Sequence, residues 1–321
     1  MTKQLKVAIM AGGYSSEAEV SKRSAAQAYD SLCGGLFEPH IVEVSLEGWF
    51  CNSERVNKDD FSTPTLGKFD YALIMIHGTP GENGPLQGYF DLVGVPYSTS
   101  PAGIMAITFD KKLCKRALKD TEGINLAREV IISKGESYNA EQIAEKLSLP
   151  FFVKPTQSGS SFGVTKVKSI EELDAAIQTA LSQCDEVLCE EFIEGTEVSQ
   201  GVMICSGKEY VLPITELVTT NEFFDYEAKY TEGLTQEITP ARISTEIAQK
   251  VSNATLAAYK SLGVKGVIRI DYIIKEGTPY FIEINGTPGM SAQSIVPQQW
   301  REAGLSMREA FEMIILSTLE K

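Results

Sequence analysis

Hydrophobic side chains recur along this chain with two different spacings, and the points where the spacing changes mark its elements. LKVAIM, residues 5–10, is a short apolar run that leads into AGGYSSEAEVSKRSAAQAYDSL, where glycines precede a Ser- and Glu-rich helix start. That order predicts a strand, a turn and a helix. YALIMI, 71–76, is apolar throughout, as in a strand buried on both faces of a parallel sheet. In SIEELDAAIQTAL, Ile170, Leu173, Ile177 and Leu181 recur at helical spacing, with Ser169 and Glu172 placed as a capping box. A helix is also expected over 245–262, with Ile247, Val251, Ala254, Ala258 and Leu262 on one face and Gly263 as its C-terminal stop. Further helices are expected near 107–119 and from about Ser306, and EVLCEEFIEGTEVSQGVMI, 186–204, reads as two strands about a turn at Glu194–Thr196. The alternation of strands and helices over the first hundred residues predicts a doubly wound α/β unit, and STSPAG, 98–103, marks a domain junction.

Neither period survives in TTNEFFDYEAKYTEGLTQEITP, 219–240. A long irregular segment carrying Phe223, Phe224, Tyr226 and Tyr230 is expected to be a lid.

RIDYIIKEGTPYFIEIN, 269–285, reads as a β-hairpin turning at KEGTP. Strand alternation puts Arg269 and Asp271 on one face and Ile268, Ile270, Tyr272 and Ile274 on the other; Glu283 and Asn285 lie together, opposite Ile282 and Ile284. A hairpin centred on Gly277 sets Asp271 against Glu283 and Arg269 against Asn285. Like charges facing each other across a ladder are unfavourable, by ~3 kcal/mol at ~5 Å and an effective dielectric of ~20. Two readings relieve the repulsion. The oxygens of Asp271, Glu283 and Asn285 could ligate Mg²⁺, or Arg269 could neutralise both acids in a surface salt-bridge cluster.

Composition narrows the class of protein. The 321 residues are 43% hydrophobic, enough to bury a full core and to build two or three domains. A net charge of -14 excludes a nucleic-acid surface and favours a small-molecule partner. No run of about eighteen apolar residues and no export signal is visible, which predicts a cytoplasmic protein with no membrane span. The six cysteines lack CxxC or Cys/His metal spacing and read as free thiols.

Three more stretches could carry chemistry. KPTQSGSSFG, 154–163, sets Lys154 before a loop of small residues whose N-H groups could cradle phosphate, or it is a flexible turn with a solvated lysine; it is not a Walker A loop. GGYSSEAEVS, 12–21, does not complete G-x-G-x-x-G, so nicotinamide binding is not expected; Glu17 there either meets a charged ligand or merely suits the helix dipole. HGTPGENG, 77–84, follows a buried strand, where open α/β sheets carry ligand loops, and His77 is either structural or part of a site. Metal ligands, a phosphate-covering loop and a lid together imply nucleotide-dependent phosphoryl transfer.

In their order along the chain, GGxSxExEVS at 12, HGTPGENG at 77, DK at 110, VKPxxxGSSxGV at 153, DYEAKY at 225, RIDxxI at 269 and EINGTPGM at 283 resemble the D-alanine-D-alanine ligases of the ATP-grasp superfamily. The resemblance covers nearly the whole chain and implies an α/β, three-domain ATP-grasp fold with an N-terminal doubly wound parallel sheet: 1–100, 101–189 and 190–321, with the lid at 219–240. It implies ATP, two Mg²⁺ ions for which Mn²⁺ can stand in, D-alanine as substrate, and a homodimer. Lys111, Lys154 and Lys229 would meet phosphates, and Glu190 and Glu197 the adenosine. Ser160, Ser161, Phe192, Ile193, Phe223, Ile273 and Ile282 would line the nucleotide site, and Asp271, Glu283 and Asn285 would hold the metals. Glu17 would take the first substrate's ammonium beside Val20 and His77, and Ser294, beside Ile295, the second carboxylate. Arg269 and the Gly289 N-H would stabilise the attacked carbonyl, and Ser160 and Tyr230 would join Glu17 in closing the lid. EAKY resembles the dipeptide-forming type, so an amine is expected as second nucleophile, with D-lactate or another D-amino acid as the alternative. Glu191 and Gln293 depart from the family's common Lys and His.

Overall fold

The computed structural model describes residues 4–159, 162–219 and 235–319. Ser160, Ser161, Phe223, Lys229 and Tyr230, with 220–234 of the expected lid, lie outside the described residues.

The chain opens as expected with β1 (Lys6–Gly12), α1 (Ala18–Leu32) and β2 (Glu38–Ser45). β3 (Gly48–Cys51) and β4 (Glu54–Arg55) follow, then a ribbon of β5 (Ser62–Thr63) and β6 (Gly67–Lys68), and β7 (Tyr71–Ile74). The sheet order is β4-β3-β2-β1-β7, with β1 parallel to β2 and β7 but β3 and β4 antiparallel. The expected parallel sheet is thus its centre only, since the two residues between β2 and β3 permit a hairpin and no crossover. Both faces are covered: Val7 and Ile9 pack with Ala25, Ala28 and Leu32 of α1, and Ala8 and Met10 with Leu86 and Phe90 of α2 (Pro85–Val93).

The helix expected over 107–119 is two helices, α3 (Ala102–Phe109) and α4 (Lys111–Leu118). Asp110 between them is extended, and its carboxylate caps α4 by accepting from the Leu113 N-H at 2.9 Å. After β8 (Asn125–Leu126) comes an antiparallel sheet ordered β11-β10-β12-β9, built from β9 (Glu129–Ser133), β10 (Phe151–Pro155), β11 (Thr165–Val167) and β12 (Glu186–Glu191). Phe151, Val153, Val187 and Cys189 face α5 (Ala140–Leu147) and α6 (Leu173–Leu181). The capping box expected at α6 does not form. Its first turn is a 3-10 turn over Ile170–Glu172, and the Glu172 carboxylate accepts from the Lys168 N-H at 2.8 Å, one residue short of Ser169.

The third sheet contains β13 (Thr196–Cys205), β14 (Lys208–Val211), β15 (Thr215–Thr219), β16 (Thr235–Ile238), β17 (Val267–Lys275) and β18 (Thr278–Asn285), in the order β16-β15-β13-β17-β18-β8 with β14 beside β13. β12 and β13 flank the expected turn at Glu194–Thr196, yet they belong to different sheets. Thr219 and 235–238, expected in the lid, are strand, and Thr219 pairs with Thr235. The core of this sheet sets Val198, Ile268, Ile270 and Tyr272 against Val251, Ala254, Ala258 and Leu262 of α7 (Thr245–Leu262). Cys114, Leu118 and Ile124 join the same core, so the connector 102–126 packs here rather than on the four-stranded sheet, and we propose the division 1–100, 127–191 and the remainder for the three units. α8 (Ile295–Glu302), absent from the sequence reading, and α9 (Met307–Leu319) close the chain. The six cysteines are free, and among the described residues no helix is long and apolar enough to cross a membrane.

α9 returns to the first sheet, where Phe311, Ile314 and Ile315 complete the core around Val7 and Ile9. Phe311 is fully buried, so Phe311→Ala is expected to cost about 3–5 kcal/mol, read as a lowered urea midpoint with an unchanged slope. A loss below about 1 kcal/mol would show that α9 is not part of that core.

Candidate active site

Strand alternation that buries Phe151 and Val153 turns Phe152 and Lys154 to the opposite face of β10, and on neighbouring β12 it turns Glu190 the same way. Lys154 forms an ion pair with Glu190. From α4, Lys115 reaches the same carboxylate at 2.6 Å, Glu129 at 2.6 Å and the Ala127 carbonyl at 3.2 Å. Lys115 and Glu190 have side chains only 2% and 4% exposed. Burial by itself would push the Glu190 carboxyl up, but Lys154 and Lys115 outweigh it and hold the group below the usual carboxylate range. Burial lowers Lys115, and Glu190 and Glu129 more than reverse that.

The β17-β18 ribbon supplies the second wall. Arg269 pairs with Asn285 and Asp271 with Glu283, as expected. Glu276 and Gly277 both have positive φ, 50° and 75°, as a type I′ hairpin turn requires. Lys275 faces Thr278 across that two-residue turn, and a bulge beyond Asp271 leaves one extra residue, Ile282, which restores the register. The expectation that Ile282 lies opposite Glu283 is corrected by the bulge, since both line the same cavity.

Among the described residues the charges of the ribbon are paired with cations. Arg269 donates to both Asp271 oxygens, at 2.9 and 2.8 Å; Asn285 donates to Asp271 at 3.0 Å, and the Ser199 hydroxyl donates to it at 2.5 Å. Lys111, the first residue of α4, lies 3.2 Å from Glu283 and donates to the Ser158 carbonyl at 2.9 Å. The cluster is buried, with Asp271 5% exposed, so it is not a surface cluster; Arg269 hydrogen-bonds Asp271 and its charge also acts on Glu283.

Beyond Lys111 the cavity continues into a cleft of about 520 Å³ lined by Glu17, His77, Arg269, Gly289 and Ser294. Lys111, Ser158 and Glu283 line both halves. The loop after β7 is locked to the loop after β18: His77 Nδ1 lies 2.8 Å from the Thr287 carbonyl, and Glu82 accepts from Gly78 N-H at 2.7 Å and Thr287 N-H at 3.0 Å. Burial raises the Glu82 carboxyl, against the opposing pull of His77. Gly159 approaches Glu17 so closely that an added Cβ would lie 2.5 Å from its carboxylate.

Comparison with known proteins decides the family. The family model described as "D-ala D-ala ligase C-terminus" matches residues 118–316. The chain is 46% identical to a D-alanine--D-alanine ligase of Parabacteroides distasonis, over 98% of this chain and 97% of that one. It is 47% identical to one of Phocaeicola vulgatus, over 96% and 98%. The chain belongs to the D-alanine-D-alanine ligase family. A solved ligase of Bacillus anthracis complexed with ATP is similar at 31% identity and TM-score 0.81, covering 99% of this chain and 98% of that one.

The sites expected from the ligase resemblance separate into the two halves. Lys111, Lys154, Glu190, Ile193, Glu197, Ile273, Ile282, Asp271 and Glu283 line the first. Glu17, Val20, His77, Arg269, Asn285, Gly289, Ser294 and Ile295 line the second. Phe192 is not among these lining residues; its ring packs edge-on to Phe152, 5.8 Å away, beneath Lys166. Phe152, Lys115, Glu82 and Glu237 were missed. Phe152 was within reach of the alternation rule, two residues before Lys154, but the other three depend on contacts between distant segments.

Lys115→Met strips a cation from a buried group and is expected to cost about 3–5 kcal/mol. The Glu190 share is present above its unfolded value, near 4.3, and is lost as the pH falls through the lower folded value; the Lys115 share persists until strongly alkaline pH. Urea midpoints of the two proteins should therefore differ most near neutrality and draw together as the pH falls below the usual carboxylate range. A gap that stays constant into acid would refute this account.

Proposed function

We propose that the protein joins two D-alanines with ATP, forming D-alanyl-D-alanine, ADP and phosphate through a D-alanyl phosphate, to supply a peptidoglycan precursor. One observation carries the reading. Lys111 and Glu283 line both halves of the cavity, so a nucleotide's terminal phosphate and a substrate carboxylate can meet at that seam. The γ-phosphoryl passes to a carboxylate oxygen of the first D-alanine and ADP departs. The amine nitrogen of the second then attacks the acyl carbon, and phosphate leaves.

Lys111 and Lys154 hold phosphates, while Glu190, Glu197, Ile193, Ile273 and Ile282 surround the adenosine. Glu17 takes the ammonium of the first D-alanine, with Val20 and His77 beside it, and Ser294 and Ile295 receive the second. Arg269 and the Gly289 N-H oppose charge developing on the carbonyl oxygen. The roles of Ser160, Ser161, Phe192, Phe223, Lys229 and Tyr230 rest on the motif resemblance alone.

Asp271, Glu283 and Asn285 suit Mg²⁺. Their oxygens are hard donors on one face of the ribbon, and the paired carboxylates already attract Arg269 and Lys111. Two Mg²⁺ ions, or Mn²⁺, bound there would neutralise charge on the transferring phosphoryl group. Arg269 meanwhile orients Asp271 through its two hydrogen bonds. The reading includes a homodimer, as the motif resemblance implies, in the cytoplasm expected from the lack of an export signal in the sequence. An amine nucleophile is preferred over D-lactate, because the relatives at 46% and 47% identity carry the D-alanine--D-alanine name.

Purified protein with D-alanine, ATP and Mg²⁺ should release dipeptide, ADP and phosphate in equal amounts, and excess chelator should stop all three. Formation of ADP without dipeptide would sink the assignment. Asp271→Asn keeps the side chain's shape and is expected to lower kcat by about 10²–10³ with a melting temperature shifted by only a few degrees. Parallel losses of stability and turnover would instead make Asp271 a structural residue.

A further inference from the structure

Glu237 has no assigned role, yet it lines the same cleft as Arg269, Gly289 and Ser294. It lies on β16 opposite Leu217, just beyond the segment that separates β15 from β16. The Gln298 side-chain amide donates to its carboxylate and also to the Gln293 carbonyl, at 2.7 Å. That bridge ties Glu237 to the turn carrying Ser294, whose hydroxyl lies 2.8 Å from that of Ser291. The acid is therefore tied to the Ser294 side of the cleft, which Glu17 lines from the N-terminal unit. The neighbouring positive charge, Arg269, is already held by two bonds to Asp271. Burial raises the Glu237 carboxyl, and the Gln298 amide and the Arg269 charge oppose that only in part, so an ammonium brought by a ligand would further stabilise its ionised form.

We infer that Glu237 receives the ammonium group of the second amino acid and so selects an amine over a hydroxy acid. This rests on the ligase reading above. An α-amino acid enters as a zwitterion, and its ammonium offers the carboxylate a charge-assisted hydrogen bond, whereas a hydroxy acid offers only a hydroxyl and adds its own negative charge to the cleft. Selectivity arises partly from repulsion, since a substrate without a cation brings a second negative charge near Glu237 and none to offset it.

The test uses the full-length protein with ATP and Mg²⁺, and two second nucleophiles. Hydroxylamine, a small neutral amine, traps the acyl phosphate as a hydroxamate without an ammonium to be held. In Glu237→Gln the KM for the second D-alanine should rise roughly 10–100-fold, while hydroxamate formation persists and the D-lactate to D-alanine product ratio increases. Glu237→Asp, which keeps the charge, should recover most of the D-alanine KM. An unchanged second KM in Glu237→Gln would overturn the inference, and so would equal losses of hydroxamate and dipeptide, which signify a structural role. If Glu237→Gln does not fold, Glu237→Asp decides by its D-lactate to D-alanine ratio: a wild-type ratio supports the inference and a raised ratio with intact KM overturns it. Failure of the unmodified protein to form either product would instead refute the ligase reading itself.

Discussion

Two carboxylates opposed across one antiparallel pair are the constraint around which the cavity is arranged. Asp271 and Glu283 repel each other, and the chain answers with cations drawn from different places: Arg269 from the same strand and Lys111 from α4. Meeting that demand fixes where α4 begins. Asp110 breaks the helix and caps the next one, and Lys111 emerges at its first turn over Glu283. The local cost of facing acids thus becomes a means of binding a connector to a sheet.

The same logic recurs on the four-stranded sheet. Glu190 is buried and still charged because Lys154 approaches from its own sheet and Lys115 from α4. One short helix therefore supplies cations to two walls, Lys111 to the ribbon and Lys115 to β12. Burying such charges is expensive unless every partner is present, so these contacts specify a relative position more than they add stability. The N-terminal unit joins the cavity differently, through backbone groups: Glu82 and His77 hold the loop at Thr287 by hydrogen bonds to main-chain atoms.

Several elements were legible because their causes are local. The stripe of α7 and its stop at Gly263, the buried run of β7 and the facing of Asp271 with Glu283 all follow from side-chain spacing. Where the reading went astray, a distant partner or a local backbone irregularity had intervened. A continuous helix over 107–119 satisfies periodicity, but Asp110 leaves it, its second oxygen accepting from Gln157 of a segment far along the chain. Ile282 breaks strict alternation because the bulge inserts a residue that no period can register. Glu172 sits at capping distance from Ser169, but a 3-10 first turn redirects its carboxylate.

By itself the sequence determined several of the strands and helices, their apolar faces and, through ordered motifs, the ligase family. Those properties depend on neighbours within a few residues. The tertiary structure alone decided that β12 and β13 part into separate sheets, that 102–126 packs beneath the third, that Lys115 pairs with Glu190, and that Glu237 lines the cleft. Each of these arises where charged or apolar groups from remote segments must be matched in one low-dielectric space, and spacing along a chain carries no record of that matching.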